Sequence, residues 1–303
     1  MSKIIVIVGP TASGKSALAM ELARKIQNAE IVNADAFCLY KRMNIGTAKP
    51  SDEDRNLVPH HQIDVLDPSE NSSVALYQKH ARIDIDKVFA RKNIAIVAGG
   101  SGLYIRALLD DVRFPPSNEK IRKQLELEAE AVGVDKMHER LFRLDPIAGK
   151  AIGKQNIRRI IRALEVIQIT GEKFSAIMPR ENYFMKNTLQ IGIDMPLDKI
   201  DVQIDTRTDK MRANGLTREV FELKDELSIT AAKAVGYREL LDHFDGKSTE
   251  GEAYENIKLH TRQLVRKQMS WFRRDSRIKW LQAGTHAEQV LEATKLLSVY
   301  NYC

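Results

Sequence analysis

The stretch Lys3-Ile4-Ile5-Val6-Ile7-Val8-Gly9-Pro10-Thr11-Ala12-Ser13-Gly14-Lys15-Ser16 constrains this chain more than any other. A five-residue apolar run stops at a glycine, and Gly14-Lys15-Ser16 then opens an Ala/Leu-rich helix that runs to about Gln27. The pattern is G-x-x-x-x-G-K-S, the P-loop, in the context of buried strand, loop and amphipathic helix that its mechanism demands. The glycines let the backbone turn its N–H groups inward around a phosphate, and the helix adds the positive end of its dipole. Gly9, Pro10, Thr11, Ala12, Ser13, Gly14, Lys15 and Ser16 are therefore candidate diphosphate-binding residues. Lys15 is placed to neutralise β-phosphate charge, and the Ser16 hydroxyl to ligate a Mg²⁺ that bridges the same oxygens. The motif specifies a diphosphate or triphosphate as ligand and leaves open what is done with it.

A second strand, Glu30-Ile31-Val32-Asn33-Ala34-Asp35, ends in a carboxylate. In an α/β sheet ligands collect beyond the carboxyl ends of the strands, so Asp35 is expected to face the same crevice as Lys15. Either it does chemistry there, or it caps a turn or helps to hold Mg²⁺. Tyr40 to Pro50 is polar, basic and irregular, and reads as a loop near the active face. His60-His61 with Asp64 and Asp67 lacks a further ligand at metal spacing, which favours a structural or substrate-contact role over a metal site. A crossover helix from about Ser73 to Arg91 delivers the buried strand Asn93-Ile94-Ala95-Ile96-Val97-Ala98-Gly99-Gly100. Hydrolytic P-loop ATPases carry a Walker-B aspartate at such a strand end, and none stands here. Gly99-Gly100-Ser101-Gly102-Leu103-Tyr104 starts another helix instead.

From Asp110 to about Arg180 the α/β rhythm gives way to helices at about Asn118–Ala131, Asp135–Leu144, Asp145–Gly153 and Asn156–Thr170. This predicts a helical insertion. Its last helix carries Arg158, Arg159 and Arg162 as a basic ridge, either a solvated face or a phosphate-contacting one. Strand character returns at Thr188–Asp194. The helix from about Leu197 to Asn214 bears Arg207, Lys210 and Arg212, one of which is a candidate second anion clamp. A long basic helix, about Glu252 to Arg273, ends in Lys267-Gln268-Met269-Ser270-Trp271-Phe272-Arg273-Arg274. Its aromatics beside arginines suit nucleic acid, but Trp271 and Phe272 are expected to serve as core anchors while the basic side chains face water.

The expected fold is therefore α/β: a P-loop NTPase-like parallel sheet flanked by helices, with a helical insertion domain. Residues 1–112 and 188–303 would form the core with its C-terminal helices, and residues 113–187 the insertion. At 303 residues, 43% apolar and 29% charged, the chain has the composition of soluble globular material with an ample core. No run approaches a membrane span, and Met1-Ser2-Lys3 leads straight into the P-loop strand, so a cytoplasmic protein without a signal peptide is expected. Two cysteines, Cys38 and Cys303, make neither a disulfide framework nor a four-cysteine zinc site, and both read as incidental. The net charge of +6 leans towards a polyanionic partner.

Taken together, these motifs resemble the bacterial transfer-RNA dimethylallyltransferases over nearly the whole length. The resemblance rests on the P-loop and on Asn33-Ala34-Asp35, Asn44-Ile45-Gly46-Thr47-Ala48-Lys49-Pro50, His60-His61-Gln62-Ile63-Asp64 and Gly99-Gly100-Ser101-Gly102-Leu103-Tyr104. It rests equally on Arg159-Ile160-Ile161-Arg162-Ala163-Leu164-Glu165, Val235-Gly236-Tyr237 and Lys267 to Arg273. The family usually has serine where this chain has Ala36, a pair such as Met-Gln where it has Phe37-Cys38, and threonine where Ser101 stands. Ala36 thus lacks a hydroxyl near the substrate base, and Ser101 keeps one.

The resemblance implies transfer of a dimethylallyl group from dimethylallyl diphosphate to N6 of the adenine at position 37, 3′ of the anticodon, in tRNAs reading codons that begin with U. Its site would comprise Asp35 as the base, with Lys15 and Arg207 at the diphosphate and Mg²⁺ as cofactor. Asp35, Ala36, Phe37, Cys38, Ser101, Arg122, Arg158, Arg159, Ile160, Ile161 and Arg162 would contact the substrate tRNA, Ser101 at the extruded base and the four arginines at the backbone. The anticodon stem-loop and dimethylallyl diphosphate would be the partners of a monomer with no membrane association. Three other readings stay open: transfer to free AMP, a P-loop small-molecule kinase using ATP, and a non-catalytic RNA-binding P-loop protein.

Overall fold

In a computed structural model of the chain, which describes residues 3–177, 183–282 and 284–302, the backbone divides into two compact units. One comprises Met1–Leu109 and Met185–Cys303, the other Asp110–Phe184. Cys303 lies outside the described residues.

The first unit begins with β1 (Ile4–Val8), whose five side chains are all fully buried. A strand covered on both faces needs apolar residues without alternation, which is what Ile-Ile-Val-Ile-Val supplies. It is followed by α1 (Lys15–Lys25), β2 (Ala29–Asn33), the short α2 (Asp52–Leu57) and β3 (His60–His61). Next comes α3 (Val74–Ala90), which starts where the Ser73 hydroxyl accepts the Leu76 N–H and buries Tyr77, Ala81, Ile85 and Val88 on one face. β4 (Ile94–Gly99) and α4 (Gly102–Leu109) complete this half.

The second unit is helical. It contains α5 (Glu119–Val132), α6 (Val134–Leu144), α7 (Pro146–Ala151) and α8 (Ile157–Thr170). Asn118, Asp145 and Asn156 cap α5, α7 and α8 through their side chains, and Pro146 sits at the start of α7, where its missing N–H costs nothing. Leu125, Met137, Leu141, Ala148, Ile152, Ile160, Ile161 and Leu164 form its own core.

The chain returns to the first unit with β5 (Thr188–Ile193), α9 (Leu197–Ala213), α10 (Leu216–Leu223), α11 (Tyr237–Phe244), α12 (Glu250–Phe272), β6 (Ile278–Leu281) and α13 (His286–Val299). Thr249 with Glu252, and Thr285 with Glu288, make reciprocal capping boxes at the starts of α12 and α13. The six strands form one all-parallel sheet in the order β3-β2-β4-β1-β5-β6. After β1 the chain leaves towards β2, and after β4 it leaves for the opposite side, towards β5. The carboxyl ends of β1 and β4 therefore flank a topological switch point, where an open α/β sheet holds its ligand. No helix among the described residues is long and apolar enough to cross a membrane.

Candidate active site

The P-loop turns out of β1 at this switch point. Gly14 caps α1 with φ 84°, a left-handed conformation that only glycine adopts without cost, and the Ser13 N–H bonds the Pro10 carbonyl (3.3 Å). Lys15 Nζ also donates to the Pro10 carbonyl (3.0 Å), and the Thr11 N–H donates to Gln268 Oε1 on α12 (2.8 Å), which ties the loop to the far end of the chain. The first turn of α1 carries no carboxylate to oppose an anion. The Ser13 hydroxyl is buried and has no hydrogen-bond partner among the described residues. Such an orphan costs about 1–3 kcal/mol, which an acceptor oxygen bound in the loop would recover.

Lys15, Ser16, Asn33, Asp35, Thr47, Lys49 and Arg207 line one cavity of about 580 Å³. Burial lowers the Lys15 ammonium to about 8; the Asp35 carboxylate opposes this shift and the Arg207 guanidinium adds to it. Burial likewise lowers Arg207, again against the pull of Asp35. Two desolvated cations thus face a space that an anion would occupy, with one carboxylate beside them. Asp35 is held by its own turn: Oδ1 accepts the Phe37 N–H (2.9 Å), and Asn33 brackets its backbone from both sides (3.1 and 3.0 Å). A second, smaller cavity of about 80 Å³ shares Thr11, Asp35, Thr47 and Arg207 and is otherwise walled mainly by Phe37, Ile204, Met211, Val235, Ile257 and Leu264. Asp35 stands where a charged cavity and an apolar one meet.

The loop after β2 forms the common wall, and it is pinned at two points. Glu219 on α10 accepts the backbone N–H groups of Asn44 (2.9 Å), Ile45 (2.8 Å) and Gly46 (3.2 Å), and the Tyr237 hydroxyl donates to the same carboxylate. A Cβ at Gly46 would lie 2.4 Å from the Tyr237 ring, so the close approach requires glycine. Further along, Lys49 donates to Asp64 Oδ1 (2.5 Å), to Asn44 Oδ1 (3.1 Å) and to the Tyr40 carbonyl, while Arg55 takes Asp64 Oδ2 (2.6 Å). Between the two pins, Thr47 lines both cavities.

The other anticipated residues fall as follows. Ala36 and Phe37 are half-buried, and Cys38 is buried with Sγ 3.7 Å from the Thr47 carbonyl; burial pushes its thiol up to about 12, which makes it inert. Ser101 is half-buried just before α4, past the end of β4. Lys210 lines an open depression that shares Lys49 and Arg207 with the main cavity, and Arg212 pairs with Glu250 (3.3 Å). His61 Nε2 bonds the buried Glu30 (2.7 Å), and His60 Nδ1 bonds the Val58 carbonyl (2.7 Å) while His60 also lines the main cavity. No group of three His, Cys, Asp or Glu among the described residues could hold a metal by itself.

Arg122, Arg158, Arg159 and Arg162 belong to the helical unit. Arg158 and Arg159 are exposed, whereas Ile160 and Ile161 are 0% and 7% exposed in that unit's core. Those two side chains pack rather than present themselves to a polyanion, because α8 turns its apolar stripe inward. The expectation that both C-terminal aromatics are core anchors holds for one of them and is corrected, in the opposite sense, for the other. Phe272 is a core anchor at 2% exposure, but Trp271 is 42% exposed and lies against Gly102. Gln268 and Glu219, which hold the two loops of the site, were not singled out from the sequence, although Gln268 stands inside the quoted Lys267–Arg273 motif.

The IPP transferase family model matches residues 38–275. A tRNA dimethylallyltransferase of Bifidobacterium adolescentis is 45% identical over 285 residues, covering 93% of this chain and 84% of that protein. One of Kineococcus radiotolerans is 42% identical over 304 residues, 98% of this chain and 96% of that protein. Among solved structures, the full-length tRNA isopentenylpyrophosphate transferase of Bacillus halodurans superposes with a TM-score of 0.73 at 33% identity, covering 99% of this chain and 97% of that one. A eukaryotic dimethylallyltransferase described as acting on tRNA gives a TM-score of 0.84 at 25% identity, over 99% of this chain and 80% of that one. With its six-stranded parallel sheet, its P-loop and relatives of this similarity across nearly its full length, the chain belongs to the IPP transferase family, the tRNA dimethylallyltransferases.

Proposed function

We propose that this chain transfers the dimethylallyl group of dimethylallyl diphosphate to N6 of the adenine at position 37 in tRNAs reading codons that begin with U, giving N6-isopentenyladenosine and diphosphate. The observation that carries this reading is the placement of Asp35 at the meeting of the two cavities, with Lys15 and Arg207 beside it. The bond from C1 of the allyl group to the diphosphate oxygen breaks as negative charge accumulates on the diphosphate. The P-loop N–H groups, Lys15 and Arg207 stabilise that charge in a desolvated site, where preorganised donors act most strongly. The exocyclic amine is a weak nucleophile and sheds a proton as the N6–C1 bond forms; Asp35 takes it. No water has to be positioned for hydrolysis, in keeping with β4 ending in Gly99 rather than a carboxylate.

The residues present fit Mg²⁺ held jointly with substrate. The Ser16 hydroxyl supplies a hard oxygen donor in the cavity of Lys15, and a magnesium ion held there jointly with the substrate would need few protein ligands. When bound it would supply further neutralisation of the leaving group. A stacked adenine is out of reach, so the base would be flipped into the crevice near Asp35 and Ser101. Arg122, Arg158, Arg159 and Arg162 would meet the tRNA backbone, and the enzyme would work in the cytoplasm as a monomer.

The test is incubation of the purified protein with labelled dimethylallyl diphosphate and an anticodon stem-loop. Label in the RNA is the expected result. Transfer to free AMP alone, or consumption of ATP without RNA modification, would refute the assignment.

A further inference from the structure

One carboxylate in the helical unit gathers an unusual share of its polar contacts. Glu165, on α8, is 0% exposed. It accepts the Asn118 N–H (2.9 Å) and Arg162 Nη1 (2.7 Å), and Arg122 Nη2 lies 3.2 and 3.1 Å from its two oxygens. Burial alone would push this carboxyl up. The bonds from Arg162, Asn118 and Arg122 outweigh burial and hold it below the ordinary glutamate range, so the group keeps its charge. Arg162 is gripped again, by the carbonyls of Pro116 (3.2 Å) and Pro115 (2.7 Å).

Both arginines nevertheless reach the surface, with side chains 44% and 30% exposed. A guanidinium has five N–H donors in a rigid plane. Arg122 spends Nε and Nη2 on Glu165, and its Nη1 bonds none of the described residues. The cluster is thus two cations around one buried anion, with a net positive charge outward and open guanidinium edges. Arg158 and Arg159, exposed on the same helix, have no such side-chain partner among the described residues.

We propose that Glu165 is a positioning residue that fixes Arg122 and Arg162 as a preorganised clamp for the phosphodiester backbone of RNA. The proposal rests on the reading of RNA as the acceptor. A freely rotating arginine loses side-chain freedom when it engages a phosphate, and one already held from behind does not. Arg158 and Arg159 would add charge without fixed geometry.

The experiment is a salt titration of anticodon stem-loop affinity for E165Q, with the unfolding temperature and dimethylallyl diphosphate affinity measured on the same protein. Removing a negative charge next to an RNA-binding face would by Coulomb attraction alone tighten RNA binding, and a purely structural carboxylate would move the unfolding temperature without a selective loss of RNA affinity. Positioning predicts the opposite sign. E165Q should bind the stem-loop about tenfold more weakly, about 1.4 kcal/mol, with a log-log salt slope lower by about one unit and unchanged diphosphate affinity. Equal or tighter RNA binding would overturn the proposal. Should E165Q not fold, R122K and R162K carry the test, because lysine keeps the charge and loses the fork. Each is expected to bind RNA almost as weakly as the alanine variant, and parity with the unmodified protein would overturn the proposal. If R122A and R162A themselves leave affinity and slope unchanged, the RNA reading of this face fails; if they weaken binding while E165Q does not, only the positioning role fails.

Discussion

Replacing Glu219 probes how firmly the wall between the two cavities is held. Its carboxylate accepts three consecutive backbone N–H groups and the Tyr237 hydroxyl. Glu219→Gln keeps the shape and one acceptor oxygen, so the Asn44 and Ile45 bonds to Oε2 can survive. The amide NH₂ that replaces Oε1 would meet the Gly46 N–H head on. Tyr237 can turn its hydroxyl to accept, but Gly46 cannot, and one half-buried donor left unpaired costs about 1–3 kcal/mol. Glu219→Ala strands all four donors, and water reaches only the outer ones, so a loss of about 3 kcal/mol or more is expected. At about 2–4 °C per kcal/mol for a protein approaching this size, thermal unfolding should rank the unmodified protein above Gln, and Gln above Ala, in separable steps. Because Thr47 lines both cavities from this loop, the same order should appear in kcat/KM. Unfolding temperatures for Gln and Ala that coincide with each other and with the unmodified protein would refute the claim that this carboxylate holds the loop.

Other expectations concern the reacting groups. Lys15→Ala should raise the barrier by roughly 2–4 kcal/mol, the scale of one lost preorganised donor; near-normal single-turnover rates would remove Lys15 from the site. Asp35→Asn keeps an acceptor for the Phe37 N–H but cannot take a proton, so turnover should fall by roughly 10²–10⁴ with little change in stem-loop affinity, and an equal loss of affinity would make Asp35 a binding group instead. The low pKa of Lys15, about 8 against 10.5 for an ordinary lysine, has two effects of opposite sign. The free enzyme loses its anion-binding charge above about pH 8, so kcat/KM for dimethylallyl diphosphate should fall there in a pH profile and stay flat in Lys15→Arg. Between these two values the unfolded chain holds a proton that the folded one does not, so Lys15's contribution to folding stability rises with pH while catalysis declines.

The parts of the site that could be read in advance are those whose physics is local. The P-loop is contiguous, and Asp35 follows directly from the end of β2, so strand-end reasoning places both in one crevice. Gln268 and Glu219 could not be reached that way. Their partners, Thr11 and the Asn44–Gly46 backbone, are far away in the chain, and an amide or carboxylate on an amphipathic helix carries no mark of which loop it will hold. The arginine ridge was visible as charge at helical spacing, but the inward turn of Arg162 depends on Glu165 one turn later, and charge pattern alone does not say which residue is buried. The helices of the insertion were legible to within two residues of their observed ends. β3 and β6 were not, because a two-residue and a four-residue edge strand offer too few alternations to detect.

The position of the helical unit within the chain also matters for the entropy of assembling the sheet. β1 must find β5, pairing Ile4 with Thr188, across everything that lies between them. The ends of the inserted segment are themselves joined, Asp110 bridging to Tyr183, so once its local helices have formed the insertion behaves as a short link rather than a long random loop. Closure cost grows only with the logarithm of loop length, so carrying the insertion adds about 0.5 kcal/mol or less to the closing of β1 on β5. The sheet is therefore nearly indifferent to what hangs between its fourth and fifth strands, and surface changes in the helical unit can accumulate there at almost no expense to the catalytic half.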